Sequence, residues 1–107
     1  MDAHIRELVG KLVAGVGPEL GVVRVWAYGS RVRGDYEPGS DLDLLVELRE
    51  VTPAARQAIW DRAWELSLEA GYVISVAVVS QEAFEQGPLS VSGYAENVRR
   101  EGVEIAA

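Results

Sequence analysis

The sequence predicts a small α/β (α+β) domain, in which a mixed sheet of three or four strands packs against helices. Three observations support this class. The chain has 107 residues, of which 49 % are apolar. Stretches with helical spacing of apolar residues alternate with short β-branched stretches, and glycine and proline separate them. A single domain over residues 1–107 is the expected organisation for this length.

The first half of the chain is predicted to form one helix and two strands. Apolar residues at helical spacing predict an amphipathic helix over residues 2–16, with Asp2 as its N-cap. The β-branched and aromatic residues 22–28 predict a strand, and so do the apolar residues 42–48. Residues 29–40 are rich in glycine and charge, which indicates a loop with at most a short helix.

The second half is predicted to alternate between helices and strands. Thr52 is a typical N-cap, and the following proline favours the start of a long helix that Gly71 ends. Ser80 is predicted to cap a short helix. The predicted elements are a helix at 53–70, a strand at 72–79, a short helix through about 86, a last helix from 90 to about 102 and a short strand at 103–105.

The long helix carries a second apolar stripe, formed by Trp60, Trp64 and Leu68. The first stripe, which could alone cover a sheet, consists of Ala55, Ile59, Ala63, Leu66 and Ala70. Because a wide apolar face is normally buried on both sides, the second stripe needs a partner of its own. The C-terminal helix is the favoured partner, and another protein chain is the alternative.

Composition excludes several classes of function. The chain has 17 acidic and 10 basic residues, a net charge of −7, which disfavours general binding to nucleic acids. It has no cysteine, so disulfides and thiolate chemistry are excluded. No apolar run is long enough to span a membrane and no signal peptide is evident, so a cytoplasmic location is expected. A small nucleotide that arrives with a divalent cation remains compatible with this charge.

The residues that suggest chemistry lie between the first two predicted strands. Asp41 and Asp43 are two apart on a strand, so their side chains point to the same face. Carboxylate pairs of this kind suit one or two Mg²⁺ ions, which take oxygen ligands. Gly29 lets a ligand approach the backbone, and Ser30 offers a hydroxyl and an N–H to a phosphate.

The spacing is expected to bring these two pairs together. About a dozen residues connect the strands, which suits an antiparallel return. Gly29 and Ser30 would then lie at the same edge of the sheet as Asp41 and Asp43. A phosphate cradle beside paired carboxylates is what a nucleoside triphosphate with Mg²⁺ requires.

The run from Gly29 to Val46, Gly-Ser-Arg-Val-Arg-Gly-Asp followed by Gly-Ser-Asp-Leu-Asp-Leu-Leu-Val, resembles the nucleotidyltransferase signature of the DNA polymerase β superfamily. It looks like the run found in the minimal nucleotidyltransferases. The resemblance implies Mg²⁺-dependent transfer of a nucleoside monophosphate, usually AMP from ATP, to an acceptor hydroxyl. It implies that Asp41 and Asp43 are catalytic and bind metal, and that Gly29, Ser30 and Arg33 bind nucleotide. An ion pair with a nearby acidic residue is the alternative role for Arg33.

The sequence departs from the family pattern at one position. Active members carry a third carboxylate on the strand after the long helix, but residues 70–80 contain no acid and Ser75 is the polar side chain within that strand. Glu47 lies on the same face as Asp43 but about 13 Å beyond it along the strand. A weak or inactive nucleotide-binding or partner-binding module is therefore the alternative reading.

The resemblance also implies a partner. Minimal nucleotidyltransferases often pair with a small helical HEPN-type protein, and some act as antitoxins that adenylylate a tyrosine of that toxin. The expected partners are thus a nucleoside triphosphate and a helical protein, with a homodimer as a further alternative.

Overall fold

The computed structural model describes residues 3–105, which contain one four-stranded mixed sheet. Its spatial order is β3-β2-β1-β4, with β1 antiparallel to β2 and β4, and β2 parallel to β3. The strands are β1 (Val22–Tyr28), β2 (Leu42–Leu48), β3 (Ile74–Ser80) and β4 (Val103–Ile105). This arrangement confirms the predicted fold class.

The helices pack on both faces of the sheet. They are α1 (Ala3–Val16), α2 (Ser30–Arg33), α3 (Pro53–Ala70), α4 (Gln81–Glu85) and α5 (Gly93–Glu101), with 3-10 turns at Pro18–Leu20 and Pro88–Val91. The expected N-cap of α1, Asp2, lies outside the described residues. As predicted, Thr52 caps α3 by accepting a hydrogen bond from the Ala55 N–H, and Ser80 caps α4.

The predicted starts of two elements are wrong. The third strand begins at Ile74 rather than residue 72, because the chain must turn after Gly71, whose φ is +82°, before it can extend. The last helix begins at Gly93 rather than Ser90. The 3-10 turn at Pro88–Val91 ends with the Ser92 N–H donating to the Leu89 carbonyl. The Ser92 hydroxyl then caps α5 by accepting a hydrogen bond from the Ala95 N–H at 3.1 Å.

The core has two parts, one on each face of the sheet. On one face α1 and α3 bury the larger cluster, which includes Leu42 and Leu44. On the other face α4 and α5 bury a smaller cluster around Leu45, Phe84 and Val98. Side chains alternate along β2, so Leu42 and Leu44 point to the first face while Asp43 and Leu45 point to the second. Within residues 3–105 no helix has the length and apolar character that a membrane crossing requires.

The second apolar stripe of α3 is not covered by the C-terminal helix. Because α5 packs on the opposite face of the sheet, Trp60, Trp64 and Leu68 are left 46 %, 63 % and 68 % exposed. The favoured prediction for this stripe was therefore wrong.

Helix α3 covers part of the outer edge of β3 with two polar groups. The Trp60 indole N–H donates to the Val76 carbonyl at 3.0 Å, and the Ile74 N–H donates to the Ser67 hydroxyl at 2.8 Å. Since β3 is an edge strand, these groups would otherwise face water.

Candidate active site

The antiparallel pairing of β1 with β2 creates the candidate site. Tyr28, the last residue of β1, lies opposite Asp43. The next residue, Gly29, has a φ of +84° and ψ of −166°, a conformation that is essentially restricted to glycine. A Cβ atom at Gly29 would collide with Oδ2 of Asp43. The glycine and the carboxylate are therefore in direct contact.

Ser30 begins the short helix α2 immediately after this contact. The N–H groups of Val32 and Arg33 both donate to the Gly29 carbonyl, at 3.1 and 3.0 Å. Ser30 itself is half-buried. As the first residue of the helix, it has no acceptor for its N–H within the helix. Gly29 and Ser30 thus lie at the end of the central strands β1 and β2 where Asp43 also lies.

Asp41 comes two residues before Asp43 and is exposed, whereas Asp43 is half-buried. The pKa of the Asp43 carboxyl is raised above its ordinary value of 3.8, first by burial and then by the negative charge of Asp41, while Arg33 opposes the rise. Burial and the Asp41 charge both disfavour a second negative charge at this end of the sheet. A cation between the two carboxylates would relieve that repulsion.

Arg33 is held by two carboxylates in this structure. Its guanidinium lies 3.2 Å from Asp35 Oδ1 and 3.4 Å from Glu101 Oε2. The first contact was the predicted alternative to phosphate binding. The second joins α2 to the end of α5 and was not predicted from the sequence.

Tyr28 and Tyr94 lie beside Asp43 and were not predicted as site residues. Their hydroxyl oxygens are 2.7 Å apart, and their rings meet edge to face. Tyr94 is 39 % exposed. Burial raises the pKa of both phenols, and the Asp43 charge raises them further. Both hydroxyls therefore stay protonated at neutral pH.

Among residues 3–105, no third carboxylate joins Asp41 and Asp43. Ser75 is the residue of β3 in register with Asp43, and it is exposed. Glu47 is fully buried and accepts a hydrogen bond from the Trp26 indole at 2.8 Å. Among residues 3–105 there is no group of three or more His, Cys, Asp or Glu side chains that could hold a metal ion.

Two carboxylates are nevertheless enough for one kind of metal site. Mg²⁺ is usually held by one or two protein carboxylates, with substrate phosphates and water as its other ligands. Asp41 and Asp43 lie at an end of the sheet that is open to solvent, and the backbone of Gly29 contacts Asp43 without an intervening side chain. This arrangement fits that donor set.

Known structures share this fold. One, a toxin–antitoxin with AMP-PNP, is 20 % identical with a TM-score of 0.58, over 92 % of this chain and 70 % of that chain. Another, tri-AMPylated Shewanella oneidensis HEPN toxin in complex with MNT antitoxin, is 20 % identical with a TM-score of 0.54, over 97 % and 71 %. At these identities the likeness concerns the fold.

A third structure, described as a candidate minimal nucleotidyltransferase, is 30 % identical with a TM-score of 0.56, over 94 % of this chain and 88 % of that chain. No curated protein matches the chain. The family model described as "Nucleotidyltransferase domain" matches residues 6–101. The chain therefore belongs to the nucleotidyltransferase domain family, a family of nucleotide-transferring enzymes.

Proposed function

We propose that this protein transfers a nucleoside monophosphate, AMP from ATP, to an acceptor hydroxyl in a Mg²⁺-dependent reaction. The observation that carries the proposal is the contact between Gly29 and Asp43, at the end of β1 and β2 where Asp41 also lies. It puts backbone that a phosphate can approach next to the two carboxylates that would hold its cation.

Each residue has a defined role in this proposal. Asp41 and Asp43 hold one Mg²⁺, or two, and orient the triphosphate. Gly29 and Ser30 bind the β- and γ-phosphates, and Arg33 exchanges its exposed carboxylate partners for a phosphate oxygen. Bound Mg²⁺ would neutralise the charge that develops as pyrophosphate leaves. The acceptor proton passes to water or to the partner, since the phenols of Tyr28 and Tyr94 are poor bases.

Labelled ATP with MgCl₂ and a candidate acceptor tests this activity. Asp41→Asn and Asp43→Asn should each abolish transfer, because the amide removes the charge that attracts the cation. Glu50→Gln is the matched control: it neutralises an exposed carboxylate beyond the far end of β2 and should leave transfer intact. Transfer that persists in both aspartate variants refutes the proposal.

For the acceptor, we propose a tyrosine of a helical HEPN-type partner. Two observations support this choice. Structures of the same fold include a complex with an AMPylated HEPN toxin, and Trp60, Trp64 and Leu68 form an exposed apolar face on which a partner can pack. Peptide mass spectrometry should find an adenylyl group on a tyrosine of the partner, and replacing that tyrosine with Phe should prevent it.

A nucleotide-binding module without catalysis is the second candidate. Ser75 favours it, because a hydroxyl replaces the third family carboxylate beside Asp43. Nucleotide and partner binding without any label transfer would support this candidate and exclude the enzyme. Light scattering of the purified chain would test the alternative of a homodimer.

A further inference from the structure

We propose that Arg31 is a positioning residue, which fixes the backbone before Asp41 so that Asp41 and Asp43 can share one cation. The inference rests on the proposed function, because that function supplies the cation. Arg31 is not among the predicted site residues.

Arg31 joins the helix after β1 to the loop before β2. Its Nε donates to the Ser40 carbonyl at 2.7 Å, and its Nη2 donates to the Pro38 carbonyl at 2.9 Å. Ser40 directly precedes Asp41. Two charged hydrogen bonds from one planar group define a direction as well as a distance, so they fix the peptide that leads into Asp41.

The Arg31 side chain is itself held in place. Its guanidinium carbon lies 4.6 Å from the centre of the Tyr36 ring and 3.7 Å from the centre of the Tyr72 ring. Tyr36 belongs to the same loop, and Tyr72 lies between α3 and β3. These two cation–π contacts restrict the guanidinium, and they tie the loop before Asp41 to the segment between α3 and β3.

The chain on the other side of Asp41 is also fixed. The Leu42 N–H donates to the Val73 carbonyl at 2.9 Å, next to Tyr72. The turn before Asp41 is closed by the Ser40 N–H, which donates to the Glu37 carbonyl at 3.0 Å. Asp41 is therefore an exposed side chain between two backbone positions that are both held.

The contacts distinguish Arg31 from Arg33. Arg31 donates to two carbonyl oxygens, and two aromatic rings lie near its guanidinium. Arg33 is exposed, and its contacts are ion pairs with Asp35 and Glu101. Arg33 is free to exchange partners for a phosphate, but Arg31 would have to release the loop. We therefore assign Arg31 to Asp41 and not to the triphosphate.

Binding of Mn²⁺ with α,β-methylene ATP, followed by electron paramagnetic resonance, tests this assignment without requiring turnover. Arg31→Met keeps the apolar stem and removes the donors, and it should weaken Mn²⁺ binding roughly 10- to 100-fold, as loss of a group that orients a metal ligand does. Combined with Asp41→Asn, it should add no further loss, because both changes affect the same ligand. Arg56→Met is the matched control, since Arg56 lies over the Trp60 ring, 5.9 Å from its centre, and should bind like the wild type.

Additive losses in the double variant would overturn the inference, because they would mean that Arg31 acts on the nucleotide directly. Wild-type affinity in a folded Arg31→Met protein would also overturn it. If that variant fails to fold in thermal unfolding, Arg31→Lys decides: it keeps the cation but not the planar pair of donors, so intermediate affinity supports the inference and unchanged affinity refutes it. If the Arg31 and Asp41 variants weaken Mn²⁺ binding non-additively but the wild type transfers no nucleotide, the inference is supported and only the proposed activity is refuted. If the wild type binds no Mn²⁺, both are refuted.

Discussion

Gly29 packs so closely against Asp43 that no side chain fits between the two residues. We predict that Gly29→Ala lowers the free energy of unfolding by about 1–3 kcal/mol, because φ is +84° there. The added Cβ should also displace the Asp43 carboxylate and abolish metal-dependent transfer. Urea unfolding and the transfer assay measure the two effects separately.

Gly34→Ala is the control for that prediction. Gly34 also has a positive φ, +93°, but apart from its chain neighbours no atom of residues 3–105 lies within 4 Å of a Cβ built there. It should share the loss of stability and retain most of the transfer. Equal loss of transfer in both variants would mean that backbone strain, and not the contact with Asp43, explains the first result.

Ser75→Asp should increase metal-dependent transfer. Ser75 is in register with Asp43 and exposed, so a carboxylate there would supply the acid that the family pattern expects. General-base assistance is worth about 10²–10⁴-fold in rate, and we expect a gain near the lower end. Ser80→Asp adds the same charge at the far end of β3, where Asp can still cap α4, and should give no gain. An unchanged rate in Ser75→Asp would show that the missing acid does not limit the reaction.

Glu47 should make stability depend on pH. Burial is the largest cause that raises the pKa of its carboxyl above 4.5; Glu85 adds to the rise, while the Trp26 hydrogen bond and Arg24 oppose it. The folded state then binds this proton more tightly than the unfolded state does. As the pH falls through the raised pKa towards 4.5, protonation of Glu47 therefore increases the free energy of unfolding. At higher pH the buried charge of Glu47 lowers it.

Glu47→Gln should remove that contribution, because Gln keeps an acceptor for the Trp26 indole without the buried charge. The difference in stability between variant and wild type, measured by urea unfolding at several pH values, should favour the variant most above the raised pKa. Glu104→Gln is the control, since Glu104 pairs with the same Arg24 at 3.3 Å but is half exposed. A pH-independent difference for Glu47→Gln would contradict the prediction.

The exposed stripe of α3 should matter for association and not for folding. Trp64→Ser with Leu68→Ser should change the free energy of unfolding by less than about 0.5 kcal/mol per site, because both side chains are mostly in solvent. Ile59→Ala on the same helix removes a buried side chain and should cost about 2–5 kcal/mol. Pull-down with a helical partner should show that the double variant has lost binding. Undiminished binding would exclude this face as the docking surface.

The sequence predicted those parts of the fold that local signals determine. The strands at 22–28 and 42–48 and the helix at 53–70 have the predicted bounds, because β-branched runs, an N-cap and a terminal glycine act over a few residues. Whether another element covers the second apolar stripe of α3 could not be predicted in this way. It depends on which face of the sheet α5 packs against, and no local pattern in the sequence reports that.

The same distinction applies to the site. An antiparallel return between two recognisable strands was sufficient to predict that Gly29 lies near Asp43. The contacts of Tyr94 with Tyr28, and of Glu101 with Arg33, join residues 66 and 68 positions apart. They arise only when α5 is docked, so a motif within residues 29–46 carries no signal for them.

The two side chains of α3 that bond to β3 also limit how the sheet can grow. Strand β3 has no charged residue that would repel another strand. With the Val76 carbonyl and the Ile74 N–H already occupied, an incoming peptide would first have to displace an indole and a hydroxyl. The helix thus hinders edge-to-edge aggregation through β3, while its tryptophan-bearing surface stays accessible to another protein.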